Sequence, residues 1–210
     1  TADNQTDTIE AVVADMFAYL GSLREEGVAE VELFSMAGKA ADAGKSAGNS
    51  QGQEALRQIA EEAAACQKCS LYSSRRCSVP GQGCLTPEIL FVGEAPGEDE
   101  DRQGVAFVGR AGQLLTRLIN KMGCARDEVF IANILKCRPP DNRRPLPEEM
   151  EACLPFLRRQ IEILRPKVIV LLGAVALEAL VSPLARISKS RGTWMNYADT
   201  PMMPTYHPAY

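Results

Sequence analysis

The chain predicts an α/β domain: three layers, with a central, mostly parallel four-stranded sheet between helices. Apolar runs at 89–93, 129–135, 167–173 and about 202–206 alternate with helical patterns at 110–122, 147–164 and 173–181. Parallel strands need such crossovers, and runs this apolar are buried on both faces of a sheet. A hydrophobic fraction of 46% can fill that core. The first run, Ile89-Leu90-Phe91-Val92, breaks on Gly93-Glu94-Ala95-Pro96-Gly97, passes through a loop, and feeds a helix from Arg110. An α/β domain builds its ligand site at such strand carboxyl ends.

Each element has its own signal. Residues 8–26 place Ile9, Val12, Val13, Met16, Leu20 and Leu23 at helical spacing, and Gly27 stops them. This N-terminal helical extension, 1–37, is a tethered element that could dock a partner. Residues 38–53 are rich in Gly, Ala, Ser and Gln without apolar periodicity and read as a flexible linker. The main domain, 54–210, opens with a helix over 54–65 that leads into Cys66. An irregular basic stretch with turns at Pro80-Gly81-Gln82-Gly83 precedes the first strand.

Composition narrows the function. No apolar run reaches 18 residues, and no basic region is followed by an apolar stretch at the N-terminus. The expectation is a cytoplasmic monomer without membrane contact. His207 is the chain's one histidine, so sites needing two are excluded. Residues 1–65 carry 4 Lys+Arg against 12 Asp+Glu, a net of −8; residues 66–210 carry 19 against 15, a net of +4. The second part is mildly basic, with pairs at Arg75-Arg76, Arg143-Arg144 and Arg158-Arg159, as suits a nucleic-acid binder. The loop from Glu94 to Asp101 holds five carboxylates and lacks the lysine of a phosphate loop. With Phe107 nearby, it suits a neutral, flat, hydrogen-bonding ligand.

Seven cysteines without an export signal favour metal over disulfides. Two sets are possible. A local one, Cys66, Cys69, Cys77 and Cys84, suits zinc. A split one, Cys66, Cys69, Cys137 and Cys153, ties the start of the domain to the loop after its second strand. Four thiolates suit zinc or a [4Fe–4S] cube, and spacing does not decide.

The segments GEAPGEDED…AFVGRAGQLL, Asn133-Ile-Leu-Lys-Cys137-Arg-Pro-Pro with Asn142-Arg143, and His207-Pro-Ala-Tyr210 resemble the family 4, iron–sulfur uracil-DNA glycosylases, in order over roughly 56–210. The resemblance implies a repair enzyme that hydrolyses the N-glycosidic bond of deoxyuridine in single- or double-stranded DNA. It implies a [4Fe–4S] cluster on Cys66, Cys69, Cys137 and Cys153, leaving Cys77, Cys84 and Cys124 structural. It assigns His207 to the uracil O2 side, Asn133 to O4 and N3–H, and Phe107 to stacking, with Ala95 and Gly97 in the uracil-binding loop. Glu94 and Glu100 match acidic positions of the family, one of which would organise the attacking water; Glu100 resembles a residue near the uracil C5 edge, and Asn142 would help position water or the phosphate backbone. Arg143 or Arg144 would contact phosphates. A related branch forms a covalent adduct through a histidine after the first motif; here Gly109 runs directly into Arg110-Ala-Gly-Gln-Leu. Another branch lacks the acidic residue present here as Glu94. In the family, the histidine motif continues past the position of Tyr210 with apolar residues and an arginine that help penetrate the duplex. The competing expectations are a non-catalytic iron–sulfur domain that binds DNA, and a zinc domain built on the local cysteines.

Overall fold

The computed structural model describes residues 46–209. The expected N-terminal helix, residues 38–45 of the expected linker, and Tyr210 lie outside the described residues.

Four parallel strands form the centre: β2 (Ile89–Gly93), β3 (Phe130–Asn133), β4 (Val168–Leu172) and β6 (Thr200–Thr205). Two short antiparallel strands, β1 (Gln82–Gly83) and β5 (Met195–Tyr197), close the edges, giving the order β1-β3-β2-β4-β6-β5. The expected four-stranded sheet is therefore the core of a six-stranded one. Two or three residues are too few to show the period-two pattern by which a strand is read.

The helices are α1 (Ser46–Ala65), α2 (Glu98–Gln103), α3 (Arg110–Lys121), α4 (Pro147–Leu164), α5 (Ala174–Leu180) and α6 (Ile187–Ser190). Period-two alternation divides each central strand between two cores. Leu90, Val92, Phe130, Ala132, Ile169 and Leu171 pack with Ile59 of α1 and Phe156, Leu157 and Ile161 of α4. Ile89, Phe91, Ile131, Val170 and Leu172 pack with Leu114, Leu115, Leu118 and Ile119 of α3. The three expected layers follow.

Two helices differ from expectation. α1 begins at Ser46, so residues 46–53 of the expected linker are helical. The segment contains Ala and Gln, which tolerate a helix, and α1 packs along α4, with Gly52 beside Ile163. Glu62 holds Arg159 of α4, with one of the two bonds at 2.8 Å. The acidic stretch read as loop contains α2, whose first turn is Glu98, Asp99, Glu100 and Asp101. Carboxylates at a helix N-terminus meet unpaired N–H groups and the positive end of the dipole, which accounts for the acidity. α4 starts with Pro147 at its first position and a backbone-to-Glu149 capping bond at 2.8 Å.

Leu157 and Leu115 are fully buried, one in each core. Leu157→Ala and Leu115→Ala should each lower unfolding free energy by about 2–5 kcal/mol in denaturant titration. A loss confined to one of them would mean that the sheet does not bear two independent cores.

Candidate active site

The carboxyl ends of β2, β3, β4 and β6 converge. Register places Gly93 opposite Asn133 and Leu172 opposite Thr205. Gly173 N then donates to Thr205 O at 2.9 Å, and Ile134 and Leu135 donate to the carbonyls of Gly93 and Glu94 at 2.9 and 3.0 Å. These bonds hold the loops after the strands around a cavity of about 490 Å³. Glu94, Ala95, Gly97, Glu100, Phe107, Asn133, Asn142 and His207 all line it, as do Arg143, Arg144 and Gly173. Residues far apart in sequence are thus brought into one pocket, as the motifs predict.

Asn133 is 1% exposed, and its Oδ1 is buried without a hydrogen-bond partner. A buried, unpaired acceptor costs about 1–3 kcal/mol, so its persistence marks a place where a ligand donor can sit. The Phe107 ring lies close by: a Cβ on Gly93 would stand 2.5 Å from Phe107 Cζ and overlap Asn133 Oδ1. Only glycine lets the strand end pass between the two side chains.

His207 stands across from Phe107, ring centroids 5.8 Å apart and planes at 34°. Its Nδ1 accepts from Ala209 N at 3.1 Å. That places the proton of the neutral ring on Nε2, its one donor. Burial pushes the imidazole below its ordinary value, with the Glu100 charge opposing. The backbone approaches through Gly173, at φ 94, where a Cβ would stand 2.9 Å from His207 Cβ.

The carboxylates differ. Burial pushes Glu94 above its ordinary value, Arg144 pulls it down, and Glu178 pushes it up. Arg144 itself is paired with Glu178. Glu100 lines the cavity, but its oxygens accept three backbone N–H groups: Val108 and Gly109 at 2.8 Å each and Gly97 at 3.1 Å. Glu100 is committed to joining the N-terminus of α2 to the loop that carries Phe107. Asn142, at φ 53, accepts from Arg138 Nε at 2.8 Å through Oδ1. Arg143 binds the buried Glu149 through two bonds of 2.9 and 2.6 Å, and this holds Glu149 below the carboxylate range.

A second, small cavity is lined by Cys66, Cys69, Cys137 and Cys153 with Lys68, Arg75, Lys136 and Phe156. Arg75 Nη1 donates to Cys137 Sγ at 3.0 Å, and Lys136 N donates to Cys153 Sγ at 3.2 Å. Burial pushes the Cys153 thiol up to about 11 and raises Cys137 as well. Cys77 and Cys84 are absent from this lining: Cys77 lies by Gly104 and Cys84 by Thr86. The local set is therefore not assembled. Among the described residues, no three His, Cys, Asp or Glu side chains are grouped to hold a single metal ion.

Sequence reasoning passed over Lys136. It is 1% exposed, and its Nζ donates to Asn133 O at 2.9 Å and Gln160 Oε1 at 2.8 Å. It joins the peptide of Asn133 to the cysteine-bearing loop. The available signal was a lysine ending a run, Phe130 to Leu135, that is otherwise apolar but for Asn133. Gly173, between Leu172 and a helical pattern, carried a similar signal.

Residues 80–210 match the family described as the uracil DNA glycosylase superfamily. The chain is 47% identical over 166 residues to a type-4 uracil-DNA glycosylase of Sulfurisphaera tokodaii, covering 74% of this chain and 75% of the relative. It is 46% identical over 160 residues to one of Thermotoga maritima, covering 75% and 83%. The chain belongs to the type-4 uracil-DNA glycosylases. A type-5 uracil-DNA glycosylase of Pyrobaculum aerophilum is more distant, 32% identical over 148 residues, covering 62% of this chain and 65% of the relative. The matched span in this family member contains every pocket residue named above. Among the described residues, no helix is long and apolar enough to cross a membrane.

Because His207 is the one histidine, its ring protons form a single set in an NMR titration. The midpoint should fall below 6.5. The unfolded chain then binds a proton that the folded chain refuses, so stability falls as pH drops from 6.5 toward that midpoint. His207→Gln should flatten this slope. A midpoint at or above 6.5 would contradict the neutral ring.

Proposed function

We propose that this type-4 family member hydrolyses the N-glycosidic bond of deoxyuridine in DNA, releasing uracil and leaving an abasic site. The observation that carries this reading is the unpaired, buried Asn133 Oδ1 beside the Phe107 ring in a cavity of about 490 Å³. Uracil, flipped out of the strand, stacks on Phe107. Asn133 Oδ1 accepts from N3–H while its amide donates to O4. Cytosine reverses both positions and would leave buried groups unpaired, which is how such a site rejects it.

Bond cleavage leaves negative charge on the departing base. His207, neutral and carrying its proton on Nε2, donates toward O2, where that charge develops. A neutral donor suits the task, since burial already disfavours the imidazolium. Glu94, raised by burial, is the carboxylate we assign to the attacking water. Asn142, on the loop opposite, would help position that water or the backbone. Arg143 and Arg144 lie on the cavity wall, oriented by Glu149 and Glu178, and would face phosphates.

Cys66, Cys69, Cys137 and Cys153 would hold a [4Fe–4S] cluster. Four thiolates around one zinc stand about 2.3 Å from the metal, whereas a cube spreads its ligands around a larger body. A cavity lined by all four is where such a group would sit. Arg75 and the Lys136 amide supply hydrogen bonds that thiolates favour. Bound there, such a cluster would cross-link the end of α1, the loop after β3 and α4, so that metal binding would add to folding. Hydrolysis needs no redox step.

A uracil-containing single-stranded oligonucleotide, incubated with the enzyme and then cleaved with alkali, tests the reading. Asn133→Ala should lower kcat/KM about 100-fold or more. DNA affinity without excision, indifferent to Asn133→Ala and His207→Ala, would instead make the chain a binding module. For the cluster, Cys153→Ser should remove the broad absorption near 400 nm and cost about 3 kcal/mol or more of stability. Undiminished iron content and an unchanged Tm would refute the assignment.

A further inference from the structure

Phe107 has a left-handed backbone, φ 52. For a bulky side chain this conformation is disfavoured roughly ten-fold in population, so the surroundings must hold it. The two peptide groups that flank Ala106, the residue before it, are each held. Ala106 N donates to Gln82 Oε1 at 3.1 Å, and Ala106 O accepts from Arg126 Nη2 at 2.6 Å. Arg126 is itself anchored: its Nη1 donates to Thr116 Oγ1 of α3 at 2.9 Å. After Phe107, Glu100 takes the Val108 and Gly109 amides. Behind it, a Cβ on Gly112 would overlap the Phe107 carbonyl.

Glu100 belongs to the cavity wall, whereas Gln82 and Arg126 do not line the cavity. Gln82 reaches Ala106 from β1, and Arg126 reaches it from the loop between α3 and β3. Ala106 is fully buried, so its N–H and C=O have no water to turn to if the clamp is lost. Relaxing Phe107 to negative φ would reorient these peptide groups and swing the ring away from Gly93 and His207.

We propose that Gln82 and Arg126 are positioning residues: Arg126 holds the peptide that joins Ala106 to Phe107, Gln82 holds the one before it, and together they keep Phe107 left-handed, with its ring held as a stacking surface. The role of the ring rests on the uracil reading above; the clamp itself does not. Neither residue touches the base. Their effect is on how much of the time the stacking surface is in place.

The test uses the full, cluster-loaded chain with 4-fluorophenylalanine incorporated at position 107, in the parent, Arg126→Met and Gln82→Met. Gln82→Met keeps the side chain's length, Arg126→Met keeps the apolar stem, and each removes the hydrogen bond to Ala106. One sharp ¹⁹F resonance is expected in the parent, and a shifted or exchange-broadened one in each variant. In unlabelled protein, KM for a uracil-containing single strand and Ki for free uracil should both rise about ten-fold. The change in kcat should be smaller. Adding Arg126→Met to Phe107→Ala should have no further effect. An unchanged ¹⁹F resonance in both variants would overturn the proposal. So would a fall in kcat with KM and Ki unaltered, which reports only less folded enzyme, or full additivity with Phe107→Ala. If the parent neither excises uracil nor is inhibited by it, the uracil reading fails, while the ¹⁹F comparison still decides on the clamp. Should one variant fail to fold, the other tests the neighbouring peptide group of Ala106.

Discussion

The parallel register of β2 with β3 and of β4 with β6 is the constraint on which the site depends. It sets Gly93 opposite Asn133 and Leu172 opposite Thr205, so the loops that follow emerge along one edge. A slip of one residue would turn every strand side chain to the other face and bury Asn133 in a hydrocarbon core. The two cores hold the register in place, because each strand contributes alternate residues to both. The site is a consequence of how apolar area is divided between α1 and α4 on one side and α3 on the other.

Around that edge, polar groups are committed to one another and few are left over. Glu100 is taken by backbone amides, Arg143 by Glu149, and Lys136 by Asn133 O and Gln160. Among the described residues two buried side-chain oxygens lack a partner, Thr205 Oγ1 and Asn133 Oδ1, and of the two residues Asn133 lines the cavity. The fold has spent its charged residues on orientation, so that the groups facing the ligand are a neutral imidazole, an amide, a ring and a carboxyl raised by burial. Such an environment favours a neutral flat base over a phosphate, and it recognises the base through shape and hydrogen-bond pattern.

The cysteine cavity and the pocket are mechanically joined. Cys137 follows Lys136 directly, and Lys136 grips the peptide of Asn133. Cys153 accepts the Lys136 amide, and Val79 N caps the Lys136 carbonyl at 2.8 Å. A cluster on these thiolates would act on the pocket through position, by fixing the loop from which Asn133 is held, with no electron transfer required.

Local sequence was enough to reveal the central strands and the main helices, while the cysteine set and the pocket residues came from the resemblance of ordered motifs, since spacing alone left two cysteine sets open. Their signals are apolar periodicity, turn residues and motif order, which survive without tertiary contacts. Other features arise only when distant segments meet. The edge strands exist because β3 and β6 offer them partners. α1 extends back to Ser46 in packing against α4. The three amides on Glu100 are of this kind, because a residue's type says nothing of which amides will claim its oxygens. The left-handed Phe107, and the grip of Gln82 and Arg126 on the peptide groups either side of Ala106, cannot be read from neighbours in the chain. What the amino-acid order determined was which groups were available. Packing decided which of them were used up in holding the others, because a buried polar group takes whichever partner the fold brings within reach.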